Sequence, residues 1–484
     1  MLDTLTRPRA EQARLPARRI DAAGQAQVDY RAVLALAAPL FLNSGVQAIL
    51  NLTDTWFAGR ISSAAVAAIG AVHFLIIASI LLLGGVGLAV QSLVAQSYGA
   101  RRYAQGAYWT WAGLWSALLT VPVFAVLAMC GEGMLSPFHL DPEIEKLAVA
   151  YWIPRIAGAS GGVALWAIMG FFNGVGKTRV TLEAMLIVAL VNAVLNEIFI
   201  FHLHMGIAGS AWATSVSTLI GVVFCLVRFL APQVRRAFRS HRVWRPRPRA
   251  FVHMLGLGLP MGLFGAVDLF SFALFQLMQV SLGTVDGAAT QIVMMLTSVA
   301  YMPGIGLALA GTTLVGQSIG AGNPRWAMRV GNTIITLAAG FMAVVGFSLA
   351  VGGPWLIPWF TQKSDPLGAA VIARACTLIW IGAGYQVFDA LNIASAFCLR
   401  GANDVRVPAL LLIALSAIGF VPLAHSLSFA PDQGWVQGLP QFGWGAVGGW
   451  LAALVYIMAL GLTLFGRWRS GIWQRVRRGT SLRP

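Results

Sequence analysis

The sequence predicts an all-α polytopic membrane protein of twelve transmembrane helices. Three observations predict it: a composition too poor in charge for a water-facing surface, a series of apolar runs of spanning length, and basic residues placed in alternate gaps. Apolar residues make up 58% of the 484 positions and charged residues 10%, and the mean hydropathy is +0.75. A soluble domain carries roughly 25% charged residues to solvate its surface. Most of this surface must therefore face lipid.

A spanning helix needs about 20 mostly apolar residues. Such runs lie near 32–56, 66–97, 108–130, 147–172, 182–202, 207–230, 252–280, 288–318, 326–350, 369–398, 407–429 and 443–466. None alternates with the period of two that marks barrel strands, so they read as helices. With the N-terminus inside, the inner gaps hold Arg101/Arg102, Lys177/Arg179, Arg325/Arg329 and Arg400/Arg406. The largest inner gap holds Arg228, Arg235, Arg236, Arg239, Arg242, Arg245, Arg247 and Arg249, and the C-terminal tail adds Arg467, Arg469, Arg475, Arg477, Arg478 and Arg483. The outer side has only Arg60, Lys146, Arg155, Lys363 and Arg374, beside the acidic Glu132, Asp141, Glu143 and Glu145. Basic residues are retained on the cytoplasmic side. Both termini are accordingly expected in the cytoplasm, with the chain in the plasma (inner) membrane.

The net charge of +16 does not point to nucleic acid, because the arginines fall in short bursts between spans rather than on one basic face. Residues 1–30, with Arg7, Arg9, Arg14, Arg18 and Arg19 and no continuous apolar core of a signal peptide, read as a disordered cytoplasmic tail. Residues 231–251 read as a basic linker that can also touch anionic lipid, and 467–484 as a basic tail. Cys130, Cys225, Cys376 and Cys398 are scattered, without metal-ligand or disulfide spacing.

A shift of 221 residues superimposes the two halves. Leu34, Leu36 and Pro39 fall on Leu255, Leu257 and Pro260. Gly85, Leu88 and Ala89 fall on Gly306, Leu309 and Ala310, and Val94–Ala100 (Val-Ala-Gln-Ser-Tyr-Gly-Ala) on Val315–Ala321 (Val-Gly-Gln-Ser-Ile-Gly-Ala). After a small insertion, Gly174 and Arg179 match Gly401 and Arg406. Six spans per half is an even number, so the halves are parallel repeats: a first lobe over 31–230 and a second over 252–466. A substrate path is then expected between two lobes that rock to alternate access. Gly258/Gly262, Gly170/Gly174 and Gly445/Gly449 have the spacing that lets helices approach closely.

Ionisable residues within spans are functional candidates by default. Asp54 in the first span, Asp268 in the seventh and Asp389 in the tenth stand out; Glu197 and Glu183 lie nearer the interfaces. The repeat places Gln47 opposite Asp268 and Phe275 opposite Asp54, so the scaffold is duplicated and the charges are not. No Arg or Lys is expected deep in the spans to neutralise them. Gln47, Asn51, Asn192, Asn196, Gln276, Gln291 and Gln386 offer polar groups that can join helices or line a path, as can Asn43, Gln279 and Asn392. Asn192 and Asn196 share one helix face. Phe264, Met294, Met295 and Phe388, with Met302 and Phe275, can repack around varied apolar shapes.

The clustered acids of a Mg²⁺-dependent membrane enzyme and a phosphate-cradling glycine loop are both lacking from the sequence, so no enzyme and no direct use of ATP is predicted. His202 and His204 are not read as a metal site. No cofactor or resident metal is expected, although Na⁺ could bind at Asp268 and Asp389. A second transport reading is a flippase for lipid-linked oligosaccharide or polysaccharide, which would call for deep basic residues between the lobes.

Several motifs taken together resemble the multidrug and toxic compound extrusion (MATE) transporters, and their NorM-like more than their DinF-like branch. They are Pro39 followed by Asn51-Leu-Thr-Asp54-Thr, the segment Val94–Ala100, Asn192-Ala-Val-Leu-Asn196, Pro260 with Asp268 eight residues on, Tyr385-Gln-Val-Phe-Asp389-Ala, and Leu399-Arg-Gly-Ala-Asn-Asp-Val-Arg406. The resemblance runs from about residue 30 to 465. It implies a V-shaped pair of six-helix lobes, monomeric in the bilayer, that exports small organic cations in exchange for H⁺ or Na⁺. By position, Asp54 would be the first-lobe carboxylate, and Asp268 with Asp389 the second-lobe cation pair. Asp268 stands where the NorM-like branch usually carries Glu, and Asn196 where the DinF-like branch carries Asp.

Overall fold

The computed structural model describes residues 15–22, 24–136, 141–361 and 366–474. Arg7, Arg9 and Arg14 of the N-terminal tail, Lys363, and Arg475, Arg477, Arg478 and Arg483 of the C-terminal tail lie outside the described residues. The described chain is helical apart from one small hairpin. Eleven helices are long and apolar enough to span a bilayer, and a bent pair makes a twelfth.

The first lobe holds α1 (Tyr30–Gly59), α2 (Ser63–Gly99), α3 (Tyr103–Met129), α4 in two pieces (Pro142–Ala157 and Ala159–Gly174), α5 (Thr178–His202) and α6 (Gly206–Phe229). The second holds α7 (Pro248–Ser281), α8 (Thr284–Gly320), α9 (Pro324–Phe360), α10 (Gly368–Gly401), α11 (Arg406–Ser428) and α12 (Gly445–Ser470). The two pieces of α4 meet at 41° beside Gly158, where the Ser215 hydroxyl of α6 donates to the Pro154 carbonyl in competition with the Gly158 N–H. Asp29 caps α1 by accepting from the N–H groups of Arg31 and Ala32.

The lobes meet through α1 and α2 on one side and α7 and α8 on the other. Small residues make that approach possible. A Cβ on Gly85 would collide with the backbone of Gly258 and Gly262, and one on Gly306 would stand 2.8 Å from the Phe41 backbone nitrogen. Gly170 and Gly174 serve the same purpose within the first lobe, against Gln91 of α2.

The repeat read from the sequence appears as a reciprocal contact. Gln96 Nε2 donates to the Gly401 carbonyl and Gln317 Nε2 to the Gly174 carbonyl, both at 2.8 Å. Each donor and each acceptor is the other's counterpart in the repeat. Gln91 donates to the Leu309 carbonyl (3.1 Å) and to Thr313 Oγ1 (3.0 Å), Thr313 donates to the Asn173 carbonyl, and Ser92 donates to Asn403 Oδ1. Among the described residues, these side-chain hydrogen bonds between the lobes' helices all fall in the half that bears Arg101, Lys177, Arg325 and Arg406. The lobes are closed at that end.

The N-terminal segment corrects the expectation of a disordered tail. Its described part forms an antiparallel hairpin, β1 (Arg18–Ile20) with β2 (Ala26–Val28), in which Arg19 pairs with Gln27. Asp21 accepts from the Gln25 N–H and from Gln27 Nε2, and Gly24 supplies the positive φ that the turn requires. Leu15, Ala17, Ala26 and Val28 pack against the second lobe's core. Trp326 Nε1 donates to the Pro16 carbonyl at 2.9 Å. The segment leading into the first lobe is thus held beneath the second. The basic linker is likewise anchored: its short helix Pro232–Phe238 buries Val234 and Phe238, and Trp111 Nε1 donates to the Ser240 carbonyl.

Gly85→Leu forces a bulky side chain into the backbone crossing of α2 and α7, an overpacking that costs about 1–3 kcal/mol. A lower thermal midpoint of the detergent-solubilised protein is expected, with Gly45→Leu, at a site with open space around its Cβ position, as the neutral control.

Candidate functional site

The second lobe contains a cavity of about 480 Å³, within the range of pockets that hold drug-sized ligands. Helices α7, α8, α10 and α12 form most of its wall, and Leu81, Leu88 and Gln91 of α2 close it from the first lobe. Asp268 and Asp389 both line it, as do Gln386, Asn392, Phe264 and Met294. Six of the candidate residues named from the sequence are therefore brought to one place.

The two acids have unequal surroundings. Asp268 is partly exposed to the cavity, with the Tyr456 phenol and the Arg400 guanidinium acting on it. Asp389 is buried (5% exposed), and Asn392 Nδ2 donates to its Oδ1 at 3.3 Å. Gln386 is fixed by donating to the Thr297 carbonyl at 2.9 Å. The Gln386 and Asn392 side-chain oxygens are buried without a hydrogen-bond partner, while the Tyr456 hydroxyl faces the Asp268 carboxylate. Buried polar atoms are nearly always satisfied by protein, water or ligand, so two orphaned oxygens in one cavity wall suit an occupant that donates to them.

Arg400 corrects the expectation that no basic side chain is placed to neutralise the acids. It is the penultimate residue of α10, and its guanidinium lines the cavity. It stacks 4.2 Å from the centroid of Phe397 and 5.4 Å from that of Phe264, geometry that favours a cation over an aromatic face. Its position at the end of an apolar run hid this, because a long side chain can reach back along its own helix.

Three of the chain's eight tyrosines, Tyr301, Tyr385 and Tyr456, also line the cavity. Only Tyr385 stood within a quoted motif. The signal for the others was present in the scarcity of phenols within spans, where a hydroxyl needs a partner.

Asp54 belongs to a separate site inside the first lobe. It is 6% exposed. Asn196 Nδ2 donates to its Oδ1 at 2.8 Å and Thr214 Oγ1 to its Oδ2 at 2.9 Å. Asn196 also donates to Asn192 Oδ1 (3.1 Å), and Asn192 to Thr214 Oγ1 (3.2 Å). The i, i+4 pair on α5 therefore clamps the carboxylate. The Asn196 side-chain oxygen and the Ser210 hydroxyl remain buried without partners nearby on α5 and α6, which leaves neutral oxygen donors around a single acid.

The remaining candidates are dispersed. Gln47 and Asn51 are exposed on α1. Gln276 Nε2 donates to Gln291 Oε1 at 2.6 Å, away from the cavity wall. Met295 is 54% exposed on the other side of α8. Phe388 and Met302 do not line the cavity, and Phe275 is buried in the core against Phe420 and Trp450. No group of three or more His, Cys, Asp or Glu able to hold a metal ion occurs among the described residues.

With the fold and the site in view, comparison with known proteins gives a consistent assignment. The MatE family model matches residues 39–198 and 260–424, once in each lobe. The chain belongs to the MATE family. It is 30% identical to a probable multidrug resistance protein NorM of Mesorhizobium japonicum, over 91% of this chain and 93% of that one. It is also 30% identical to the multidrug resistance protein NorM of Burkholderia vietnamiensis, over 88% and 91%. A solved outward-facing structure of a multidrug resistance MATE transporter of the MOP superfamily superimposes with a TM-score of 0.79 at 20% identity, covering 92% of this chain and 96% of that one. The protein is thus an integral membrane MATE transporter of the NorM-like kind, not an enzyme.

Thr214→Val removes one of the two hydrogen bonds to the Asp54 carboxylate. A hydrogen bond to a charged group is worth about 1.5–3 kcal/mol and one to a neutral group about 0.5–1.5. The variant's loss of thermal stability is therefore expected to be larger at alkaline than at acidic pH, read from melting curves of variant and wild type at both.

Proposed function

We propose that the protein is a secondary active antiporter that exports cationic, amphipathic organic compounds from the cytoplasm in exchange for H⁺ or Na⁺. It would act in the inner membrane with both termini cytoplasmic. The observation that carries this reading is the cavity in which Asp268 and Asp389 stand amid Phe264, Met294 and three phenols. An apolar wall with two acids suits an organic cation, because the wall takes up hydrophobic shape and the acids supply the counter-charge. The relatives' naming for multidrug resistance supports the same substrate class.

The mechanism follows from competition for charge. An organic cation and the coupling ion cannot both occupy the acids. Ion entry from outside displaces the substrate and returns the ion-loaded lobes toward the inward-facing state. Exporting one positive charge against 100 mV costs about 2.3 kcal/mol, and one entering H⁺ or Na⁺ cancels it. The closed end of the molecule is the arginine-bearing end, which the charge rule assigns to the cytoplasm, so this conformation is the outward-facing one. Asp54, in its own lobe, offers the coupling ion a second binding place remote from the substrate.

The flippase alternative gains Arg400 as a deep basic group. Two acids in the same cavity outnumber it, and the balance still disfavours an anionic headgroup.

Asp389→Asn and Asp268→Asn are expected to abolish the drug tolerance that the wild type confers on a pump-deficient host. Wild-type tolerance in both variants at equal expression would refute the site. Dye efflux from proteoliposomes under a pH gradient or a sodium gradient, imposed separately, identifies the coupling ion.

A further inference from the structure

We propose that Arg400 is a specificity-determining residue: a fixed positive charge in the second-lobe cavity that selects monovalent organic cations against divalent ones. The inference rests on the antiporter reading and deepens it. With both acids ionised, Asp268, Asp389 and Arg400 sum to one negative charge in the cavity. One monocation or one coupling ion neutralises that charge, and a dication leaves an excess positive charge in a largely apolar-walled cavity.

Two features make the guanidinium a fixed element. Phe397, on its own helix, and Phe264, on α7, hold it at 4.2 and 5.4 Å from their ring centroids. The ion pairs among the described residues, Arg228–Glu183, Arg374–Asp286 and Arg467–Asp404, all lie elsewhere. Arg400 is therefore held by rings while its field reaches Asp268 and Tyr301. The asymmetry of the acids follows. Asp268 is balanced by Arg400 and faced by Tyr456. Among the described residues, Asp389 has the single side-chain donor Asn392 and is the acid left to attract a cation.

Arg400 also precedes Gly401, whose carbonyl accepts the Gln96 hydrogen bond that closes the lobes. The charge sits on the floor of the cavity, at its closed end. An entering amphipathic cation is thereby oriented with its charged group toward Asp389 and away from the floor.

The test uses the full-length chain in proteoliposomes. Decyltrimethylammonium (one charge) and decamethonium (two charges on a chain of the same length) compete with dye efflux in wild type, Arg400→Gln and Arg400→Lys. A unit charge acting across a cavity of this size at an effective dielectric near 20 changes affinity by about tenfold. The wild type and Arg400→Lys are expected to favour the monocation, and Arg400→Gln to shift the ratio of the two half-inhibitory concentrations toward the dication by about tenfold. An unchanged ratio in Arg400→Gln overturns the proposal. If that variant is not recovered folded, the wild type decides: decamethonium competing as well as decyltrimethylammonium overturns it. Wild-type transport in Asp268→Asn and Asp389→Asn would instead remove the antiporter reading itself.

Discussion

The reciprocal closure of the two lobes is the constraint on which the rest of the structure depends. Gln96 and Gln317, equivalent positions of a repeat, each reach across to the carbonyl of a glycine at the end of a helix in the opposite lobe. A carbonyl can be reached this way only where backbones approach to within side-chain length, and glycines at the crossings of α2 with α7 and of α1 with α8 allow that approach. Among lipid tails no hydrophobic force draws helices together, so close packing and interhelical hydrogen bonds must hold them. The arrangement is strong where it is made and leaves the other half of each lobe free to diverge.

Closure also decides where the chemistry sits. The cavity is built almost wholly within the second lobe, with α2 of the first lobe supplying a wall through Leu81, Leu88 and Gln91. Gln91 both lines the cavity and bonds across to α8. The cavity wall and the contact between the lobes therefore share a residue, so a molecule in the cavity would touch the packing of the lobes directly. Among the described residues, Asp54 has no such link. Its partners Asn196 and Thr214 are all first-lobe residues, so the two halves of a duplicated scaffold carry acids of different environment.

Much of this was legible in the chain. The composition, the spacing of apolar runs and the alternation of arginines required a helical membrane protein, and the 221-residue offset required two parallel lobes. Asp54, Asp268 and Asp389 stood out because an acid in an apolar run has no cheap structural explanation. The polar amides were harder to sort. Asn196 and Gln276 look alike in sequence, yet one holds a carboxylate and the other pairs with Gln291. Which face of a helix meets which neighbour is a property of packing, and an amide fits lipid interface, helix contact and cavity alike. The hairpin before α1 was missed because two three-residue strands carry too little periodicity to notice, and its stability comes from the second lobe's core.

The sequence by itself determined the class of fold, the apolar spans and the repeat, and it marked Asp54, Asp268 and Asp389 as acids within those spans. Those features are recorded in composition and spacing, and the bilayer imposes them on any chain of this kind. Only the tertiary structure decided that Asp268 and Asp389 share a cavity while Asp54 is clamped apart, and that Arg400 turns inward to offset one of the acids. Those outcomes depend on contacts between helices distant along the chain, and on the reach of one long side chain back along its own helix.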